Sequence, residues 1–177
     1  LGDVGLTAVA LNRGLRFDQD GGEPERVVAR FDDTMTQAVQ AQDLELQADT
    51  LRLRARSLNE LGRNDEALDS VAKAIRLLPE LEADHPSRMR GELLHTQGNI
   101  QFYTGRVNEA LESYVAALGI FRKLGFRRLE GNMLMNIGFV SQCMGDYEGA
   151  LAYYQESYNI YLQLGDRFQT GMKVGNI

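Results

Sequence analysis

The sequence predicts an all-α solenoid, a stack of helical hairpins, on three observations. The stretch Met144–Gly171, moved back 40 positions, falls on Thr104–Gly131, with Gly145 on Gly105, Ala150 on Ala110, Tyr154 on Tyr114, Tyr161 on Phe121 and Gly165 on Gly125. A further step of 43 puts Gly105 on Gly62, Ala110 on Ala67 and Leu111 on Leu68, and one more of 40 reaches Gly22. Self-similarity at a fixed period of this size marks a repeat architecture, in which each unit buries its apolar face against its neighbours. The second observation is helical spacing: Ala150, Leu151, Tyr154, Tyr158 and Tyr161 draw one apolar stripe, while Leu134, Ile137, Gly138 and Ser141 draw another upstream. The third is a glycine between the two stripes of each unit, at 22, 62, 105 and 145, where a tight turn needs positive φ.

Taken in order, the first unit (1–45) begins with Leu1-Gly2-Asp3, which matches the connector Leu164-Gly165-Asp166. Its first helix is expected from about Gly5 to Asp18 and its second from Pro24 to Ala41. Pro24 suits a first helical turn, where a missing N–H costs nothing. Val27, Val28, Phe31, Met35 and Ala38 make the expected buried stripe. The second unit (46–86) has helices from about Leu46 to Leu61 and from Asn64 to Leu78. Pro79 is expected to end or bend the latter, and ELEADHPS to form a longer, more mobile loop holding the extra residues. The third unit (87–126) and the fourth (127–166) close their second helices at Gly125 and Gly165. Residues 167–177 read as the opening of a fifth unit, and so the chain as a piece of a longer protein. Asp146 and Asn64 suit helix starts.

Composition narrows the function classes. A net charge of −6 argues against wholesale binding to nucleic acid or an anionic membrane, both of which reward a basic surface. No apolar run approaches the ~18 residues of a membrane span. The single cysteine, Cys143, excludes an internal disulfide and fits a reducing, cytoplasmic setting. There is no HExxH, P-loop, CxxC or GxSxG pattern. His85 and His95 have no carboxylate or thiol at ligand spacing, and Cys143 with His95 is the one conceivable Cys–His pair. Neither an enzyme nor a cofactor or metal is expected.

Two helices per unit, glycine at the turn, alanine five residues later and an aromatic four beyond that resemble the tetratricopeptide repeat (TPR). The fourth unit carries the pattern best, in Leu134, Gly138, Gly145, Asp146, Tyr147, Ala150, Tyr154 and Ser157. The third matches at Leu94, Gly98, Gly105, Ala110, Tyr114 and Ala117. The second matches at Leu51, Ala55, Gly62, Ala67, Ala74 and Pro79, and the first is degenerate, with Leu15 where a small residue is expected. The spacing resembles the longer TPR variety of Pins-type polarity scaffolds, kinesin light chains, and bacterial signalling and regulatory proteins. The resemblance implies a right-handed α-α superhelix whose first helices line a concave groove. Small residues such as Ala110 and Ala150 then stand where paired helices approach most closely.

Carried over, the groove positions are Asn12, Arg13 and Arg16 in the first unit and Arg52, Arg56 and Asn59 in the second. The third gives His95, Asn99, Phe102 and Tyr103, and the fourth Asn132, Met135, Asn136 and Phe139, with Asn176 one repeat after Asn136. Asn136 and Asn176 resemble the asparagine that holds a ligand's backbone in long-repeat TPR proteins; an amide both donates and accepts, so it pairs with any peptide unit. Arg13, Arg16, Arg52 and Arg56 make one half of the groove basic, and guanidinium forks suit an acidic partner segment. The competing reading is that Arg52 and Arg56, with Asp49 and Glu60 nearby, form a self-paired face. Phe102 and Tyr103 either seat a partner's apolar side chains or pack on the next helix. The expected function is a non-catalytic module that binds a protein or peptide segment. The alternatives are a sensory or regulatory region of a larger signalling protein or transcription regulator, and self-association through the array ends.

Overall fold

The computed structural model describes residues 2–81 and 87–165, and among these it contains eight helices and no strand. They are α1 (Gly2–Asp20), α2 (Pro24–Gln40), α3 (Leu44–Glu60), α4 (Asn64–Leu81), α5 (Arg88–Tyr103), α6 (Val107–Leu124), α7 (Arg127–Cys143) and α8 (Tyr147–Gln163). Of the expected loop at 80–87, residues 80 and 81 belong to α4, while 82–86, His85 among them, and the expected fifth unit lie outside the described residues.

Each hairpin turn is built the same way. Gly22, Gly62, Gly105 and Gly145 have φ between 73° and 86°, a region closed to most side chains. The amide of the residue after each glycine reaches back to close the helix: Arg63 N to Leu58 O at 2.8 Å, Arg106 N to Gln101 O at 2.8 Å, Asp146 N to Ser141 O at 2.9 Å. That long backward bond, beside the glycine's own shorter one, satisfies carbonyls the helix leaves open. Between hairpins, Gly125 takes the left-handed conformation after α6, whereas Gln42 takes it after α2 with φ 56°.

Three local expectations are revised. Helix α3 starts two residues earlier than the apolar pattern suggests, because the Asp43 side chain caps it, accepting from Leu46 N at 2.9 Å. Helix α4 runs past Pro79 to Leu81, so the proline does not end it, although it leaves the carbonyl four residues back without its amide donor. Asn64 opens α4, but its Oδ1 is buried with no hydrogen-bond partner, so it does not cap the helix.

The chain divides into two compact units, Leu1–Ile100 and Gln101–Ile177. In the first, α1 packs on α2, α2 on α3, α3 on α4, and α1 also meets α3. Its main core is Ala48, Leu51, Ala55 and Leu58 of α3 against Ala67, Val71, Ala74 and Leu78 of α4, with Met89, Leu93 and Ile100 of α5. Spacings of three and four place each set on one helical face. Leu15, at the degenerate small-residue position, is fully buried in a separate cluster with Val27 and Leu53. In the second unit α7 packs on α6 and on α8. Ala110, Tyr114, Ala117 and Phe121 of α6, Leu134, Ile137 and Val140 of α7, and Ala150, Ile160 and Tyr161 of α8 are buried. Burying Phe121 or Tyr161 contributes about 1.5–3 kcal/mol each.

Candidate functional site

In the first unit, the first helix of each hairpin carries polar side chains that meet each other. On α1, Asn12, Arg16 and Gln19 recur at helical spacing on one face. Asn12 Nδ2 donates to Thr50 Oγ1 at 3.0 Å, and both side chains are buried. Arg16 binds Asp49 through Nε at 3.1 Å and Nη2 at 2.8 Å. Gln19 donates to Glu60 at 2.8 Å and accepts from the Ser57 hydroxyl. The seam continues to α5. Arg52 gives Nη2 to Asp49 Oδ1 at 2.7 Å, and its Nε lies 3.3 Å from Glu92 Oε2. Glu92 in turn holds Arg88 at 2.7 Å. Asp49 is 2% exposed and Arg52 only 9%, so both are engaged inside the protein rather than presented to solvent.

That sorts the four arginines of the expected basic face. Arg16 and Arg52 are ion-paired within the fold. Exposed Arg13 and half-buried Arg56 make no ion pair with a described residue. His95 on α5 stands near Arg56 and Arg52; burial first, then those two positive charges, push its pKa down to about 4. Its ring is therefore neutral near pH 7, closely surrounded by protein although solvent still reaches part of it. Asn59 is half-buried, with its Oδ1 lacking a hydrogen-bond partner, and Asn99 is half-buried too.

The second unit holds a site of different character. Phe102 and Tyr103 at the end of α5 and Phe139 on α7 form an aromatic cluster: the Phe102 ring lies 5.9 Å from Tyr103 edge-on and 5.3 Å from Phe139. Tyr103 is 73% exposed and Phe139 50% exposed. Phe102 thus packs on the next first helix, as one reading expected, while its neighbours stay open to solvent. The Asn132 Oδ1 accepts from the Tyr161 hydroxyl, whose oxygen also lies 3.3 Å from the Arg128 carbonyl oxygen. Met135 and Asn136 are half-buried on α7. Asn176 lies outside the described residues. Cys143 is exposed, and no group of three or more His, Cys, Asp or Glu suited to a metal occurs among the described residues. No described helix is long and apolar enough to cross a membrane.

Glu92 and Gln19, with Thr50, Ser57 and Arg88, are the participants in this seam that sequence reasoning missed. Asp49 and Glu60 carried a local signal, being within a turn or two of Arg52 and Arg56. Glu92 lies 40 residues beyond Arg52, and Gln19 38 before Ser57, so nothing local announces either contact.

Repeated helical hairpins with glycine turns and small residues at the contacts define the class: a helical-repeat protein. The repeat is consistent with the tetratricopeptide repeat, whose family model matches residues 89–163, less than half of the chain. The comparison with curated proteins finds no match. Among solved structures, the chain is similar to the signal transduction ATPase with numerous domains (STAND) protein with a tetratricopeptide repeat sensor from Pyrococcus horikoshii. The TM-score is 0.83 at 20% identity, over 94% of this chain and 25% of that one. It is also similar to BtubC from P. vanneervenii, with TM-score 0.74 at 17% identity, covering 86% of this chain and 63% of that chain. A third is a Podosopora anserina protein of the kinesin light chain kind with nearly identical TPR-like repeats, with TM-score 0.67 at 17% identity, over 93% and 83% of the two chains. The chain therefore spans about a quarter of the first of these proteins and less than two thirds of the second. Tetratricopeptide repeats are generally protein-interaction modules and typically non-catalytic.

Proposed function

We propose that this chain binds a segment of a partner polypeptide, with the aromatic cluster of Phe102, Tyr103 and Phe139 as an anchor point. The exposure of Tyr103 and Phe139 in contact with Phe102 carries the reading. Large rings left in water cost apolar hydration, and aromatic side chains grouped at a surface are the residues that dominate binding energy in interfaces. Half-buried Met135 and Asn136 on the same helix supply an adaptable apolar contact and an amide that suits a peptide backbone. In the first unit, Arg13 and Arg56, which make no ion pair with a described residue, suit an acidic side chain of a partner.

The test is selection of binders from a random-peptide display library, followed by affinity measurement on Phe139→Ala and Tyr103→Ala. Each substitution is expected to weaken the selected peptides about tenfold or more, the usual consequence of truncating a central aromatic. Undiminished affinity in both variants would remove the anchor. A second reading, a sensory region within a larger signalling protein, is supported by the fold likeness to the STAND protein's tetratricopeptide repeat sensor over nearly all of this chain. Fold alone does not carry function, and a partner whose binding changes an attached domain's activity would distinguish the two.

A further inference from the structure

The charged seam between α3 and α5 leaves one arginine unanswered. Arg52 of α3 reaches Glu92 of α5 at 3.3 Å. One turn further along each helix, Arg56 follows Arg52 and His95 follows Glu92. The second rung therefore sets a guanidinium against an imidazole where the first sets it against a carboxylate. Arg56 is half-buried and makes no ion pair with a described residue. Glu60, the carboxylate one turn beyond it on α3, accepts instead from Gln19 of α1 at 2.8 Å. The charges that face His95 from α3 are Arg52 and Arg56, and both add to burial in keeping its ring unprotonated. On its own helix Glu92 stands one turn earlier, already held by Arg52 and Arg88. Two positive charges thus stand near a neutral ring, and Glu92 answers only one of them.

We infer that Arg56 and His95 form a subsite for one acidic side chain, Asp or Glu, of a bound polypeptide, and that the ligand's carboxylate brings a proton onto His95 as it binds. The carboxylate completes the second rung as Glu92 completes the first, accepting from the Arg56 guanidinium on one side and from the protonated ring on the other. Its negative charge offsets the two arginines that help hold the free ring neutral, so the imidazolium becomes the favoured form in the complex. One proton passes from solvent to a ring nitrogen, and no other bond is made or broken. Because the complex takes up a proton that the free chain does not, affinity rises as pH falls. This inference rests on the proposed role as a polypeptide-binding module, but concerns residues other than the aromatic cluster.

The probe is a hexaglutamate peptide, titrated calorimetrically into the wild-type chain, Arg56→Gln and His95→Gln at pH 7.5 and pH 5.5. Its carboxylates, with an ordinary pKa of about 4.3, stay largely ionised at both. Wild type is expected to bind about tenfold tighter at pH 5.5, the gain that follows if the complex returns His95 from about 4 to its ordinary 6.5. At pH 5.5 its binding heat should differ between buffers of unlike ionisation enthalpy, reporting uptake of about one proton. Arg56→Gln should bind about tenfold more weakly at both pH values, having lost a hydrogen bond between charged groups. His95→Gln should match the wild type at pH 7.5 and lack the gain at pH 5.5. Equal wild-type affinity at the two pH values, a gain that persists in His95→Gln, an Arg56→Gln variant that binds as the wild type does, or no measurable binding overturns the inference. Should a variant fail to fold, the wild type decides alone: a binding heat independent of the buffer overturns it. Hexaglutamate carries no apolar ring, and library-selected peptides that engage Phe139 are measured separately, so failure of the aromatic anchor and failure of this subsite give different patterns.

Discussion

The two units solve the same packing problem with different chemistry. In residues 2–100, α1, α3 and α5 are tied by hydrogen bonds and ion pairs running from buried Asn12 and exposed Arg16 through buried Asp49 and Arg52 to Glu92. In residues 101–165, α7 and α8 meet through rings laid on glycines. A Cβ on Gly131 would stand 2.8 Å from the Tyr161 ring, and one on Gly138 would stand 2.8 Å from the Tyr154 ring and 3.2 Å from the Ala150 carbonyl oxygen. Ser157 adds a buried bond to the Gly131 carbonyl at 2.6 Å, and buried Glu130 is held by Arg122 of α6 at 3.1 Å and by Arg127 at 2.6 Å. The first arrangement depends on charge neutralisation and is sensitive to loss of one partner. The α7–α8 contact depends on volume and is sensitive to an added methyl, beside the one buried carboxylate, Glu130, that this unit also neutralises. The small-residue pattern of the repeat dictates how closely two helices come; the positions outside that pattern decide whether what lies between them is charged.

The largest effect should come from breaking the charged seam on one side. Arg52→Leu leaves Asp49 buried with Arg16 as its one remaining ion-pair partner, and is expected to destabilise the first unit by about 3 kcal/mol, the upper end for loss of hydrogen bonds to a charged group. Replacing Asp49 and Arg52 together by leucine should recover most of that, because neither charge is left behind. Native-state hydrogen exchange of α3 amides measures both; a single variant as stable as the wild type would show that the seam is incidental.

Acid titration gives the next effect. The His95 pKa lies below its ordinary 6.5, at about 4, so the unfolded chain takes up a proton before the folded one does. Stability tied to this group is fully present above pH 6.5 and declines as pH falls toward 4, by on the order of 2–3 kcal/mol. Comparing His95→Gln with wild type across that window isolates the contribution. The variant should lose less stability between pH 6.5 and 4, and parallel curves would rule this out.

In the second unit, Gly138→Ala is expected to cost about 1–3 kcal/mol through overpacking against Tyr154 and the Ala150 carbonyl, and Ala150→Leu a similar amount. Melting curves read both, and an unchanged transition would mean the helices have room to part. The smallest effect compares like with like across the units. Asp43 and Asp146 each cap a helix, accepting from Leu46 N and Gly149 N at 2.9 Å. Either to alanine should cost about 1 kcal/mol. A clearly unequal pair would show that one helix start is held by something other than its cap.

The repeat made the hairpins legible, along with their glycine turns and the tight positions at Gly138 and Ala150, because period and side-chain size are properties of the chain itself. Positive φ at Gly62 or Gly145 follows from what a short helix–helix turn requires, whatever surrounds it. The aromatic cluster was half legible: Phe102, Tyr103 and Phe139 stood out as rings on first helices, yet only packing put Phe102 against Phe139 and left Tyr103 in water. The four arginines were visible in the sequence as a basic group. Tertiary structure alone decided that exposed Arg16 and buried Arg52 each hold a carboxylate of another helix while Arg13 and Arg56 make no ion pair with a described residue. The reason is distance along the chain. An ion pair forms where two helices bring opposite charges within a few ångströms, and Arg16 finds Asp49 33 residues away, as Arg52 finds Glu92 40 residues away. Local spacing determines what a helix is; only its neighbours determine which of its charges are still available.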